Sequence, residues 1–229
     1  MKIKYVKDNC QNCKTTVDIA VDINADVFYT KSDLASFNFY KNVGLSACPV
    51  CGYIAQDITK DDAKNFEEIK NTEKYQYLNN FGYIKDLQNV EKYELDRYAP
   101  NIYECYAYYL CYQKDYEGSL RFLFRAVELK EAIIKSMQKS KFLDFEDDEQ
   151  DERNKIDSVC YDLQKSITKN QKAIVEMYKP SFNVYSKVMY AICLFELGEQ
   201  QKAQQVYEQL QTMQVEQNLL DYTKSKLEQ

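Results

Sequence analysis

Cys10-Gln11-Asn12-Cys13 and Cys48-Pro49-Val50-Cys51 are two C-x-x-C pairs set 34 residues apart, in a 229-residue chain that contains no histidine. With no imidazole available, thiolates are the ligands that can hold a metal at these pairs. Four soft sulfurs arranged as two paired knuckles suit a tetrahedral ion with every position filled. A closed site of that kind builds structure and leaves no place for a substrate. The expected cofactor is one structural Zn2+ on Cys10, Cys13, Cys48 and Cys51. An iron centre and a redox dithiol are the alternatives. A thioredoxin-like dithiol uses a single pair at a helix start after a strand, which leaves the second pair unexplained.

The residues around the knuckles fit a small ribbon over 1–60. Thr15 to Ile23 alternates apolar and polar positions, the period of a half-exposed strand. Pro49 pre-sets the second knuckle, and Gly52 can take the positive φ that such a turn requires just after its second ligand. Phe28, Tyr29, Phe37, Phe39 and Tyr40 are expected to cover the sulfurs. A module this short buries little apolar surface, so the metal is expected to supply much of its folding free energy.

From 61 to 229 the pattern is helical. The chain has only 5 glycines and 3 prolines, and sheets joined by tight turns need those residues repeatedly. The fold class expected is therefore mainly α, with a small β-containing head. Thr59 reads as an N-cap with Asp61 and Asp62 in the first helical turn. A helix is expected over Leu87 to Tyr98, stopping at Ala99-Pro100 because the residue before proline is pushed out of helical geometry.

Two later segments share one pattern. Tyr103, Tyr106, Ala107 and Leu110, a turn around Lys114-Asp115-Tyr116, then Ser119, Leu123 and Ala126 make the first. Tyr190, Ala191 and Leu194, a turn at Leu197-Gly198-Glu199, then Ala203, Tyr207 and Leu210 make the second. Small residues at Ala107, Ser119, Ala191 and Ala203 let paired helices approach closely. Both segments resemble the tetratricopeptide helix hairpin. They are not contiguous, since 84 positions separate Ser119 from Ala203. The excursion between them carries seven carboxylates in the nine residues from Asp144 to Glu152, which read as a solvated loop without calcium-loop spacing. Helix resumes from about Asn154 to Tyr178, before Pro180.

The order of these parts resembles the bacterial family called domain of unknown function 2225. The most specific stretch is Ala47-Cys48-Pro49-Val50-Cys51-Gly52-Tyr53-Ile54-Ala55, with Cys10 and Cys13 upstream. The resemblance implies a metal-bound N-terminus, helical repeats and a cytoplasmic bacterial protein. It implies no activity. By analogy with tetratricopeptide geometry, Asn101, Tyr108, Tyr112 and Tyr185 would face a partner groove, although each also fits an ordinary place on a helix surface.

Several functions are disfavoured by composition. Histidine-based triads are excluded, because no imidazole exists to move a proton near neutral pH. The five glycines are not spaced to cradle a phosphate. A net charge of −6 works against nucleic acid, and the first sixty residues, with seven lysines against six aspartates, contain no arginine. Nucleic-acid binding by the ribbon and a thiol redox or metal-sensing role stand as alternatives. Cys105, Cys111, Cys160 and Cys193 fall in helical patterns and read as small core residues of a chain kept in a reducing cytosol. No stretch is apolar enough to span a bilayer. The leading expectation is a non-enzymatic interaction scaffold that binds a protein or peptide in a helical-repeat groove.

Overall fold

The computed structural model describes residues 3–22, 45–48, 50–55, 61, 63–79, 92–143 and 150–228. The fold is mainly helical, with short strands confined to the N-terminal part. Strand β1 (Ile3–Asn9) pairs antiparallel with β2 (Thr16–Asp22), in a register that sets Asn9 opposite Thr16. Strand β3 (Ser46–Ala47) pairs antiparallel with β4 (Ile54–Ala55), Ala47 opposite Ile54. Each C-x-x-C pair is thus the turn of its own hairpin.

Eight helices follow among the described residues: α1 (Phe66–Ile69), α2 (Glu73–Asn79), α3 (Lys92–Tyr112), α4 (Tyr116–Leu143), α5 (Gln150–Met177), α6 (Val184–Glu196), α7 (Gln200–Gln211) and α8 (Gln217–Leu227). Two expectations need correction. Asp61 lies in a bend, and the first helix begins five residues later behind Asn65; Thr59 and Asp62 lie outside the described residues. Helix α3 does not stop at Ala99 but runs through Pro100. A proline inside a helix costs about 3 kcal/mol. The half of α3 beyond it buries Cys105, Tyr106, Ala107, Tyr109 and Leu110, and this packing outweighs the missing amide.

The two hairpins expected from sequence are α3–α4 and α6–α7. Their turns match bond for bond at an offset of 84 residues. Gln113 and Leu197 donate to the carbonyls of Tyr109 and Cys193, Lys114 and Gly198 to those of Cys111 and Phe195, and Asp115 and Glu199 to those of Leu110 and Leu194. Ala107, Ser119, Ala191 and Ala203 are all buried, as close helix approach requires. Helix α5 packs against α4 and α6, and α8, which sequence reading left unassigned, packs on α6 and α7 through Leu219 and Tyr222. Asp151 and Glu152 of the acidic stretch belong to the first turn of α5; residues 144–149 lie outside the described set.

The helices are also joined by a buried polar layer. Glu104 of α3 accepts from Lys130 of α4, and Asn170 of α5 donates to the same carboxylate oxygen at 2.5 Å. Lys130 also donates to Ser166 at 2.6 Å. Lys130 is only 2% exposed and Glu104 8%, and each finds its hydrogen-bond partners within this layer.

Candidate metal centre

The two knuckles are the same backbone structure built twice. Cys10 donates its amide to the Thr15 carbonyl at 3.1 Å, and Cys48 donates to that of Tyr53 at 2.8 Å. In return the Cys10 carbonyl accepts from Lys14 and the Cys48 carbonyl from Gly52. The residue after each second cysteine is left-handed, with φ of 58° at Lys14 and 77° at Gly52. Gly52 thus adopts the conformation expected of it, while Lys14 adopts it without glycine's freedom.

This shared geometry turns the four side chains towards one point. Cys10 Sγ lies 3.8 Å from Cys51 Sγ, and Cys13 Sγ lies 3.8 Å from Cys48 Sγ. All four sulfurs are within 4.8 Å of one another. A disulfide would need about 2.05 Å. An ion held tetrahedrally at about 2.3 Å from each sulfur sets them about 3.8 Å apart. The cross-knuckle spacings match that edge, so the four cysteines could hold a metal ion. Cys10 and Cys48 are completely buried and Cys13 and Cys51 partly so.

The surroundings pull the thiols in opposite directions. Backbone amides of Asn12 and Cys13 point to Cys10 Sγ, and those of Val50 and Cys51 to Cys48 Sγ. A hydrogen bond from the Cys48 thiol, helped by donation from the Asn12 side chain, brings Cys51 down to about 5. The same contact with Cys51, together with burial, pushes Cys48 up, and burial pushes Cys10 up. Adjacent sulfurs cannot all carry charge by themselves, and a cation at their centre removes that conflict.

Residues beyond the sulfurs anchor the site to the helices. Asn12 Nδ2 also donates to Glu67 Oε1 of α1 at 3.0 Å, and Glu67 pairs with Lys70. The hydroxyl of Tyr75 on α2 donates to the Gly52 carbonyl at 2.8 Å. Tyr53 packs edge-on against Phe66 at 5.0 Å and Tyr109 at 6.1 Å, and Phe66 does the same with Tyr75 at 5.6 Å. Tyr109 in turn donates to the Lys64 carbonyl at 2.8 Å. The apolar core is therefore continuous from Cys10 and Cys48 into α3, α4, α6 and α8. Phe28, Tyr29, Phe37, Phe39 and Tyr40, expected as the cover, lie outside the described residues. Asn12 and Tyr75 carry no signal of their own in the sequence: one is an intervening position of a C-x-x-C pair, the other a tyrosine among 21.

Among the expected groove residues, Tyr108 and Tyr112 share a face of α3 that meets α1 and α2. Lys74 lies over the Tyr108 ring at 4.5 Å, and the Tyr112 hydroxyl donates to Glu68 at 3.1 Å. Asn101, at the middle of α3, and Tyr185, in the first turn of α6, are partly buried. Cys105 and Cys193 are core residues, whereas Cys111 and Cys160 are partly exposed. No helix among the described residues is long and apolar enough to cross a membrane. No protein-family model, curated protein or solved structure matches the chain.

Proposed function

We propose that the chain is a non-enzymatic scaffold whose head is closed by one structural Zn2+ and whose tetratricopeptide-like hairpins receive a protein or peptide in the cytosol. The reading rests on one observation, the four-sulfur cluster with cross-knuckle spacings of 3.8 Å. Zinc is the ion of choice for four thiolates at tetrahedral spacing with no ligand position left over. The resemblance to domain of unknown function 2225 points the same way. Partner binding by the hairpins rests on the repeated turn geometry and on the small residues that pack them.

Elemental analysis of purified protein tests the metal. One zinc per chain is expected, with a chelator lowering the melting temperature. A coloured iron-thiolate spectrum, or protein that neither carries nor takes up zinc, overturns it. For the partner, a pulldown with Tyr108→Ala and Tyr112→Ala is expected to lose proteins retained by the unaltered chain; an unchanged set counts against the groove.

A further inference from the structure

Helices α1 and α2 contact both the knuckles and the tyrosine face of α3. On the knuckle side, Glu67 accepts from Asn12, which stands between Cys10 and Cys13, and Tyr75 donates to the Gly52 carbonyl. On the other side, Glu68 accepts from Tyr112 and Lys74 lies over Tyr108. The opposing contacts are made by neighbouring residues, Glu67 beside Glu68 and Lys74 beside Tyr75.

The two helices contain 4 and 7 residues. Isolated helices shorter than about 12–15 residues are marginal in water, so these depend on what they dock against. Their buried anchors are Phe66, Ile69 and Tyr75. Phe66 packs on Tyr53, which directly follows the second knuckle, and Tyr75 bonds to the carbonyl of Gly52 within it. Gly52 is held in its left-handed turn by a bond to the Cys48 carbonyl. An ion across the sulfurs fixes this turn, and small thiolate sites lose their order with their metal.

We infer that α1–α2 is a metal-dependent latch: with the sulfurs metallated it holds Lys74 over the Tyr108 ring and Glu68 on the Tyr112 hydroxyl, and loss of the ion releases both side chains. The inference rests on the metal reading above and adds a route from the ion to the candidate partner surface. Binding and latching are linked, so a partner that needs both tyrosines would favour the metal-free protein.

Hydrogen exchange of the full chain, zinc-loaded and after chelation, tests it. Amides of 66–79 are expected to exchange at least about tenfold faster without metal, while α6 and α7 keep their protection. In the loaded protein, Glu67→Ala with Tyr75→Phe, which leaves the residues of both knuckles in place, is expected to speed exchange in 66–79 while zinc content stays at one per chain. Retained protection of 66–79 after zinc has left overturns the latch alone. So does acceleration spread uniformly through α6 and α7, which marks global unfolding. A chain that never takes up zinc removes both the latch and the metal reading.

Discussion

Lys114 and Gly198 occupy the same position in two hairpin turns, with φ of 66° and 83°. Nothing lies within 4 Å of where a Cβ would stand at Gly198, so the demand there comes from the backbone alone. The left-handed conformation costs a non-glycine residue about 1–2 kcal/mol, partly offset by its less flexible unfolded chain. Gly198→Ala is expected to destabilise the protein by about 1 kcal/mol, and Lys114→Gly to stabilise it by about 0.5 kcal/mol. Urea melts check both. Shifts in the opposite direction would refute the shared turn.

Thiol chemistry separates the eight cysteines into classes. Cys111 and Cys160, partly exposed, are expected to react first with an alkylating reagent. Burial covers Cys105 and Cys193 and pushes both thiols up, away from the reactive thiolate, so they label only on unfolding. The knuckle cysteines are expected to label after chelation, not before. Peptide mapping by mass spectrometry reads the order, and early labelling of Cys10 in loaded protein contradicts it.

The polar layer inside the helices gives an asymmetric prediction. Lys130→Met leaves the Glu104 carboxylate buried without its cation and is expected to cost about 3–5 kcal/mol. Adding Glu104→Leu and Asn170→Leu removes the stranded groups, and the triple variant is expected to recover most of the loss. Ser166 can turn to a carbonyl of its own helix. Chemical denaturation of the single and triple variants decides the matter; equal losses would mean that the layer matters only for its packing volume.

Glu117 ties the two hairpins together. Its Oε1 accepts from the Asn183 amide at 2.7 Å and from Ser186 Oγ at 3.2 Å, while the Asn183 side chain caps the Ser186 amide. The carboxylate therefore sits at the positive end of α6. Glu117→Ala is expected to cost about 1–2 kcal/mol, and Glu117→Gln about half of that, because the acceptor survives and the charge does not. A calorimetric melt with no difference between the two variants would discount the helix-end charge.

Much of the fold was legible because it rests on local chemistry. The four cysteines announce themselves by spacing and by the lack of histidine, and the hairpins by small residues at matching offsets. Pro100 misled because proline's penalty is local, whereas the packing that overcomes it comes from α4, remote from that position in the chain. The aromatic wall behind the sulfurs was not legible either: Tyr53, Phe66, Tyr75 and Tyr109 come from separate elements and carry no spacing rule. Nor could Glu104, Lys130 and Asn170 be distinguished from the many exposed polar residues on helices without knowing which faces meet.

Tyr53, Ile54 and Ala55 leave the second knuckle almost wholly hidden, at 0%, 1% and 1% exposure. Their cover includes α1, α2 and α3, all beyond residue 60. A recombinant head ending at that residue would lose this cover, and such a fragment is expected to clump into inclusion bodies even with its sulfur cage filled.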